Sequence, residues 1–261
     1  MGLLRWAVPA VLLLASSAAA IAQIAPSSDG TLRRIRVPIL MYHYISEPPA
    51  YADVYRIDLS VSPALFREHL AYLRDAGYMS IRLEDLYAAL QTGAALPQKP
   101  VVLTFDDGYE DNYTNAYPLL REIGFTGTFF VMTSGPDGGS PDYMTPAQIA
   151  EMAAGGMQME SHSRDHPDLR GRDGDFLVYQ LLGAQESLAA WSGRVPYQFA
   201  YPAGQYDDAV LAMLRSLQVQ TAVTTRQGAL HTSDAPLELA RLRIRNTTDV
   251  PTLAALLESN S

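Results

Sequence analysis

Thr104-Phe105-Asp106-Asp107-Gly108-Tyr109 follows the apolar run Val101-Val102-Leu103, and the reading of this stretch decides the fold. A run of apolar and β-branched residues bounded by Pro100 and Gly108 predicts a buried strand, and two acids at its end do not belong in a core. Neighbouring residues on a strand point to opposite faces. Asp106 and Asp107 can therefore share one site only where the strand stops and the chain turns, which Gly108 permits. The pair is placed at the carboxyl end of a strand, where α/β folds assemble their sites. The competing reading is an acidic turn that caps the following helix.

The same alternation extends on both sides. Val37 to His43 is an apolar strand ending in a histidine, and Ser62-Pro63 starts a helix carrying Leu65, Phe66, Leu70 and Leu73 at helical spacing. Tyr51 to Ser60 has no period and reads as a surface loop. A short strand around Tyr78 to Ile81 and a helix from Glu84 to Gln91 lead into the Asp-Asp strand. Beyond it come a helix from Asn112 to Glu122, a strand from Gly127 to Val131, and a helix opened by the capping box Thr145/Gln148. Met157 to Ser161 is a strand that delivers His162. Phe176 to Trp191 is a helix, Val195 to Ala200 a strand, Asp207 to Leu217 a helix, Val219 to Thr224 a strand, and Pro251 to Glu258 a last helix. About seven strands alternating with helices predict a parallel α/β architecture, and a distorted (β/α) barrel fits that count better than an open doubly wound sheet. No strand is followed by G-x-G-x-x-G or by a P-loop, so a nucleotide cofactor has no support.

The 261 residues, 48% hydrophobic and 18% charged, are enough for one full core. Met1 to Ala22 has a basic head at Arg5, an apolar middle from Trp6 to Leu14 and small residues with A-x-A exits, the pattern of a signal peptide. Cleavage after Ala20 or Ala22 fits equally. An uncleaved anchor competes, although the run is shorter than the roughly 20 residues a span needs. The expectation is export to a periplasmic or extracellular location, with membrane contact only through an uncleaved leader. Residues 23–36 read as a flexible lead-in and 37–261 as the barrel domain. With no cysteine, a metal would be held by His, Asp or Glu. The net charge of −9, made one unit more acidic by loss of Arg5 with the leader, argues against nucleic acid as a partner and accommodates a neutral or cationic one.

His162-Ser163-Arg164-Asp165-His166 sets two imidazoles four residues apart directly after a strand. On one helical turn such a pair faces the same way and can share a divalent ion, whereas two exposed loop histidines are the plain alternative. Ser163 stands where a zinc protease would carry its glutamate base, so a different base is required.

Together, T-F-D-D-G-Y from Thr104 and S-H-S-x-x-H from Ser161 resemble the first two motifs of the polysaccharide deacetylases, metal-dependent carbohydrate esterases that remove N-acetyl groups from amino sugars. F-R-E-H-L-x-x-L-x-x-x-G-Y from Phe66 and G-x-T-F-F-V from Gly127 extend the likeness, which runs from about Val37 to the C-terminus. The resemblance implies Asp107, His162 and His166 as metal ligands, Asp106 as general base, and Ser163 as a residue that orients a ligand. Such a ligand set suits Zn²⁺, with Co²⁺ or Ni²⁺ as alternatives. Met41-Tyr42-His43 resembles the circularly permuted branch that includes poly-N-acetylglucosamine deacetylases, which implies His43 as the acid that protonates the leaving amine. His231, in a polar loop, is the rival for that role and reads as a surface residue; His69 reads as solvated.

The third motif departs from the common pattern. Phe199-Ala200-Tyr201-Pro202-Ala203-Gly204 lacks the arginine that would hold the base and the tyrosine after the proline. The Ala203 N–H can still face an oxyanion. Arg241 or Arg243 is a candidate for the missing cation, against the alternative of an ordinary exposed strand arginine. Tyr109, Tyr201, Tyr206 and the Tyr42/Tyr44 pair are candidates for contact with sugar, with plain packing as the alternative for each. The resulting expectation is an exported hydrolase that removes N-acetyl groups from an N-acetylhexosamine polysaccharide. An O-acetyl esterase and a silent sugar-binding relative are its rivals.

Overall fold

A computed structural model describes residues 28–260. The expected leader and most of the lead-in lie outside the described residues. The lead-in ends in β1 (Arg34–Arg36), paired antiparallel with β9 (Leu230–Thr232), so its last residues are a strand rather than a flexible arm. The other strands are β2 (Ile39–Tyr42), β3 (Met79–Ser80), β4 (Pro100–Phe105), β5 (Thr128–Val131), β6 (Gln158–Ser161), β7 (Gln198–Ala200), β8 (Thr221–Gln227) and β10 (Leu239–Arg243).

Seven of these strands form a closed parallel barrel. Their order is β2-β10-β8-β7-β6-β5-β4, and β4 pairs back onto β2 from Ile39↔Val102 to Tyr42↔Phe105. The two-residue β3 extends the sheet beside β4. Helices α1 (Val54–Asp58), α2 (Pro63–Asp75), α3 (Leu83–Thr92), α4 (Tyr117–Ile123), α5 (Ser134–Asp137), α6 (Pro146–Ala154), α7 (Gly174–Leu177), α8 (Gly183–Ser192), α9 (Asp208–Ser216) and α10 (Val250–Glu258) complete the chain. Single π-helical turns at Asn112–Ala116 and Val178–Leu182 open α4 and join α7 to α8.

Strand alternation sorts the core into an outer and an inner layer. On β4, Val101, Leu103 and Phe105 pack outward with Phe66, Leu70 and Leu73 of α2 and Leu119 and Leu120 of α4. Val102 faces the lumen with Ile39, Phe130, Ala200, Val223 and Leu239, and α3 closes the barrel floor with Leu83, Leu86 and Leu90. The helix starts follow their sequence signals. Ser62 Oγ accepts from Leu65 N, with Pro63 at the first helical position, and Thr145 and Gln148 form the expected capping box. Between Tyr51 and Ser60, read above as a loop, α1 forms with Asp53 as its cap; it buries no residue, so it carries no apolar period that could announce it.

Candidate active site

The inward period of β4 continues past its end. Val102 and Thr104 face the lumen, and Asp106, two residues further on, does the same at the barrel's upper rim. Its carboxylate is buried, and Arg241 meets it in a bidentate pair, Nη1 to Oδ1 and Nη2 to Oδ2, both at 2.7 Å. Arg241 alternates inward from Leu239 on β10, two strands away from β4, and it is fully enclosed. Its Nη1 also donates to Thr104 Oγ1 and its Nε to the Thr224 carbonyl. Burial alone would raise the Asp106 carboxyl. The Arg241 charge and hydrogen bonds outweigh it, with smaller help from His162 and His43, and hold Asp106 ionised below the ordinary carboxylate range.

Asp107 breaks the strand. Its φ of 75° is left-handed and rare for a residue with a side chain, and it swings the carboxylate out of the β4 alternation toward the histidine loop. Gly108 follows at φ 81°, where an added Cβ would lie 2.9 Å from Val131 Cγ1, so glycine is required here for two reasons. Asp107 Oδ1 lies 3.4 Å from His162 Nε2 and 3.6 Å from His166 Nε2. The three donor atoms fall within 4.8 Å of one another. His162 Nδ1 donates to the Ala200 carbonyl at 2.7 Å, and because a carbonyl only accepts, Nε2 of the neutral ring carries the lone pair, facing Asp107. One carboxylate and two imidazoles, converging with free lone pairs, suit a divalent transition ion.

The two histidines do not converge on a helical turn as the spacing predicted. The chain from His162 to His166 is a loop with two left-handed residues, Ser163 at φ 64° and His166 at φ 55°. Ser163, wholly buried, accepts from the His166 backbone N–H at 3.1 Å and fixes that turn. Gln180, from the neighbouring π turn, accepts from Arg164 N and Asp165 N and ties the loop down.

His43 stands directly after β2. Its Nε2 is 3.9 Å from Asp106 Oδ2, its Nδ1 is buried without a partner, and its carbonyl accepts from Asn112 Nδ2. Burial lowers its pKa from the ordinary histidine value, partly opposed by the charges of Asp106 and Asp107. The N-terminal strand thus brings its histidine to the same rim as the Asp-Asp turn, because β2 is hydrogen-bonded to β4.

The polysaccharide deacetylase family model matches residues 93–222 of this chain. Over 229 residues, 88% of this chain and 78% of the other, it is 30% identical to YxkH of Bacillus subtilis, which carries the same family name. The chain belongs to the polysaccharide deacetylase family. The deacetylase is also similar to the structure of the Streptococcus pyogenes deacetylase PplD in complex with acetate, with a TM-score of 0.78 and 31% identity, covering 86% of this chain and 99% of that one. A shorter stretch of 63 residues, 24% of this chain and 9% of the other, is 43% identical to the poly-β-1,6-N-acetyl-D-glucosamine N-deacetylase of Escherichia coli K12. The deacetylase is accordingly a hydrolase. His43 and Arg241 lie outside the segment that the family model matches, and the fold returns both to the Asp-Asp turn.

Several expectations need correction. His231 is not a surface residue: it is buried in β9, and its Nε2 donates to the Val37 carbonyl at 2.9 Å. His69 is not solvated: fully buried on α2, it donates from Nε2 to the Thr248 carbonyl at 2.7 Å and accepts from the Tyr42 hydroxyl at 3.2 Å. Both histidines are structural links. Tyr201 and Tyr42 are core residues, with the Tyr201 hydroxyl on the Leu237 carbonyl. Tyr206 stacks on Tyr201 and donates to Glu238. Ala203 sits in the turn just after β7 with a left-handed φ of 51° and is exposed. Tyr109 is half-buried between Tyr44 at 3.7 Å and Tyr143 at 5.4 Å, ring centroid to centroid. Tyr143 and Thr224 were not singled out from sequence, since an isolated Tyr or Thr on a loop or strand carries no signal of its own, and Thr104 was read only as part of its motif, not as a partner of Arg241.

Proposed function

We propose that the protein is an exported, metal-dependent N-deacetylase of an N-acetylhexosamine-containing polysaccharide. The observation that carries this reading is the pairing of an ionised, Arg241-clamped Asp106 with the adjacent Asp107–His162–His166 donor set. The short, 43% identical match to an enzyme named for N-deacetylation of poly-β-1,6-N-acetyl-D-glucosamine supports the substrate class. Export rests on the leader-like residues 1–22.

Asp107, His162 and His166 would hold the ion, with Zn²⁺ preferred because the donors are one carboxylate and two neutral imidazoles. When bound, such an ion supplies Lewis acidity toward the acyl oxygen and toward the attacking water. Asp106 accepts the water's proton as general base, and its clamp keeps the carboxylate aimed and charged. His43 Nε2, beside Asp106 Oδ2, delivers a proton to the departing amine and is resupplied by the proton that Asp106 took from water, so that water and amide become acetate and a free amine. The Ala203 N–H, at the turn after β7, is the candidate donor to the oxyanion.

Two variants separate the roles. Asp106→Asn retains metal while acetate release falls by at least about a hundredfold, the usual worth of a general base. His166→Ala loses the metal itself, read by metal content after gel filtration. Near-normal turnover in Asp106→Asn would overturn the assignment of the base.

A further inference from the structure

A cavity of about 660 Å³ opens beside these residues, within the range of small-ligand sites. Its inner wall is the stack Tyr44, Tyr109 and Tyr143, and its outer wall is the arm carrying Tyr51 and α1. The cavity adjoins the site through two of its lining residues: Tyr44 follows His43, and Tyr109 is two residues past Asp107. Tyr51 is 91% exposed and leaves a free aromatic face at the entrance.

The charge of this cleft is one-sided. Glu47, Asp53, Glu110, Asp111 and Asp142 line it, against a single cation, Arg56. That cation is already committed, since its guanidinium lies 3.3 Å from the Tyr44 ring centroid, its Nη2 donates to Ser46 Oγ, and it stands 4.0 Å from Asp111. Asp53 caps α1, and Glu110 accepts from Thr114. Glu47 and Asp142 are exposed and form no ion pair among the described residues. A neutral N-acetyl sugar can only hydrogen-bond to two such carboxylates, an ammonium-bearing sugar gains an ion pair with each besides, and an anionic polymer is repelled.

We propose that this cleft is a subsite for a hexosamine unit that already carries its free amine, so that the enzyme favours partly deacetylated chains over fully acetylated ones. The inference rests on the deacetylase reading above and deepens it. Each turnover converts a neutral unit into the cation that the cleft holds, so a bound chain is retained for a neighbouring cleavage and the rate of acetate formation rises as deacetylation proceeds. Polymers rich in uronic or lactyl carboxylates are correspondingly poor substrates.

The test compares binding of an N-acetylglucosamine pentamer and of the matching glucosamine pentamer by calorimetry, at a pH near 6 where the amines are charged. The expected result is at least about threefold tighter binding of the glucosamine pentamer at low salt, in line with two exposed ion pairs. The preference should vanish at about 0.3 M salt and in the Glu47→Gln/Asp142→Asn double variant. Equal or weaker binding of the glucosamine pentamer, binding of neither, or a double variant that keeps the preference would overturn the inference. Acetate release from the acetylated pentamer by the unaltered protein is read in parallel. Release without amine preference defeats the subsite and leaves the deacetylase, whereas amine-selective binding without release defeats the deacetylase and leaves an amino-sugar-binding cleft.

Discussion

Replacing Arg241 with methionine removes the guanidinium that pairs with Asp106 and leaves a carboxylate that is 2% exposed with no counter-charge at hydrogen-bond distance among the described residues. Breaking a buried pair from one side costs about 3–5 kcal/mol. For a chain of this size that corresponds to a fall in Tm of roughly 6–20 °C at neutral pH. The sign of the pH dependence follows. In the native protein Asp106 is depressed, so its contribution is present above the ordinary carboxylate value and is lost as pH falls through the depressed one. Without Arg241, burial dominates and the carboxyl rises, so the variant is penalised as pH rises through the new value. The Tm gap between native and variant proteins therefore narrows from pH 8 to pH 5. Turnover falls at least about a hundredfold, because the base is then protonated and unaimed. Thermal melts across that pH range, with acetate release at each pH, provide the assay. The double variant Arg241→Met/Asp106→Asn should regain much of the lost Tm without regaining turnover. A Tm loss below about 3 °C, or a gap that does not change with pH, would refute the reasoning.

Other expectations follow from the same contacts. His43→Ala should reduce kcat strongly with native Tm nearly kept, whereas His231→Ala should lower Tm by losing the bond to the Val37 carbonyl and spare kcat at permissive temperature; kinetics and melts of the pair check this, and a larger kcat loss in the His231 variant would contradict it. Glu160, inside the barrel on β6, is raised by burial to about 8, only partly offset by the Gln198 backbone N–H. Its contribution to stability is thus full below the ordinary carboxylate range and is lost as pH rises toward 8. Glu160→Gln should melt higher than the native protein at pH 8 and about equal to it at pH 5; a gap independent of pH would count against the buried acid.

Local chemistry made much of this architecture readable from sequence. Strands bounded by Gly and Pro, capped helices with one apolar stripe, and acids or histidines at strand ends depend on near neighbours, and those features stand where the sequence places them. What long-range packing decides was not readable in the same way. Arg241 and Arg243 are equivalent in sequence, and only the inward period of β10, counted from Leu239, puts Arg241 on Asp106, 135 residues away. His69 and His231 look like ordinary polar residues because the carbonyls that satisfy them, those of Thr248 and Val37, are 179 and 194 residues distant. The His162/His166 spacing singled out a pair that does converge, but not on a helical turn: two left-handed residues in a loop bring the rings together. In α1 the failure has a different cause: a helix with no buried face has no pattern to read.

The central claim is tested most directly by acetate release from N-acetylglucosamine oligomers, β-1,6-linked and β-1,4-linked in parallel, using metal-stripped protein with and without added Zn²⁺ or Co²⁺. The account predicts release that depends on the added ion and disappears in Asp106→Asn. Absence of release from both linkages, in a protein shown to bind the ion through Asp107, His162 and His166, would contradict it.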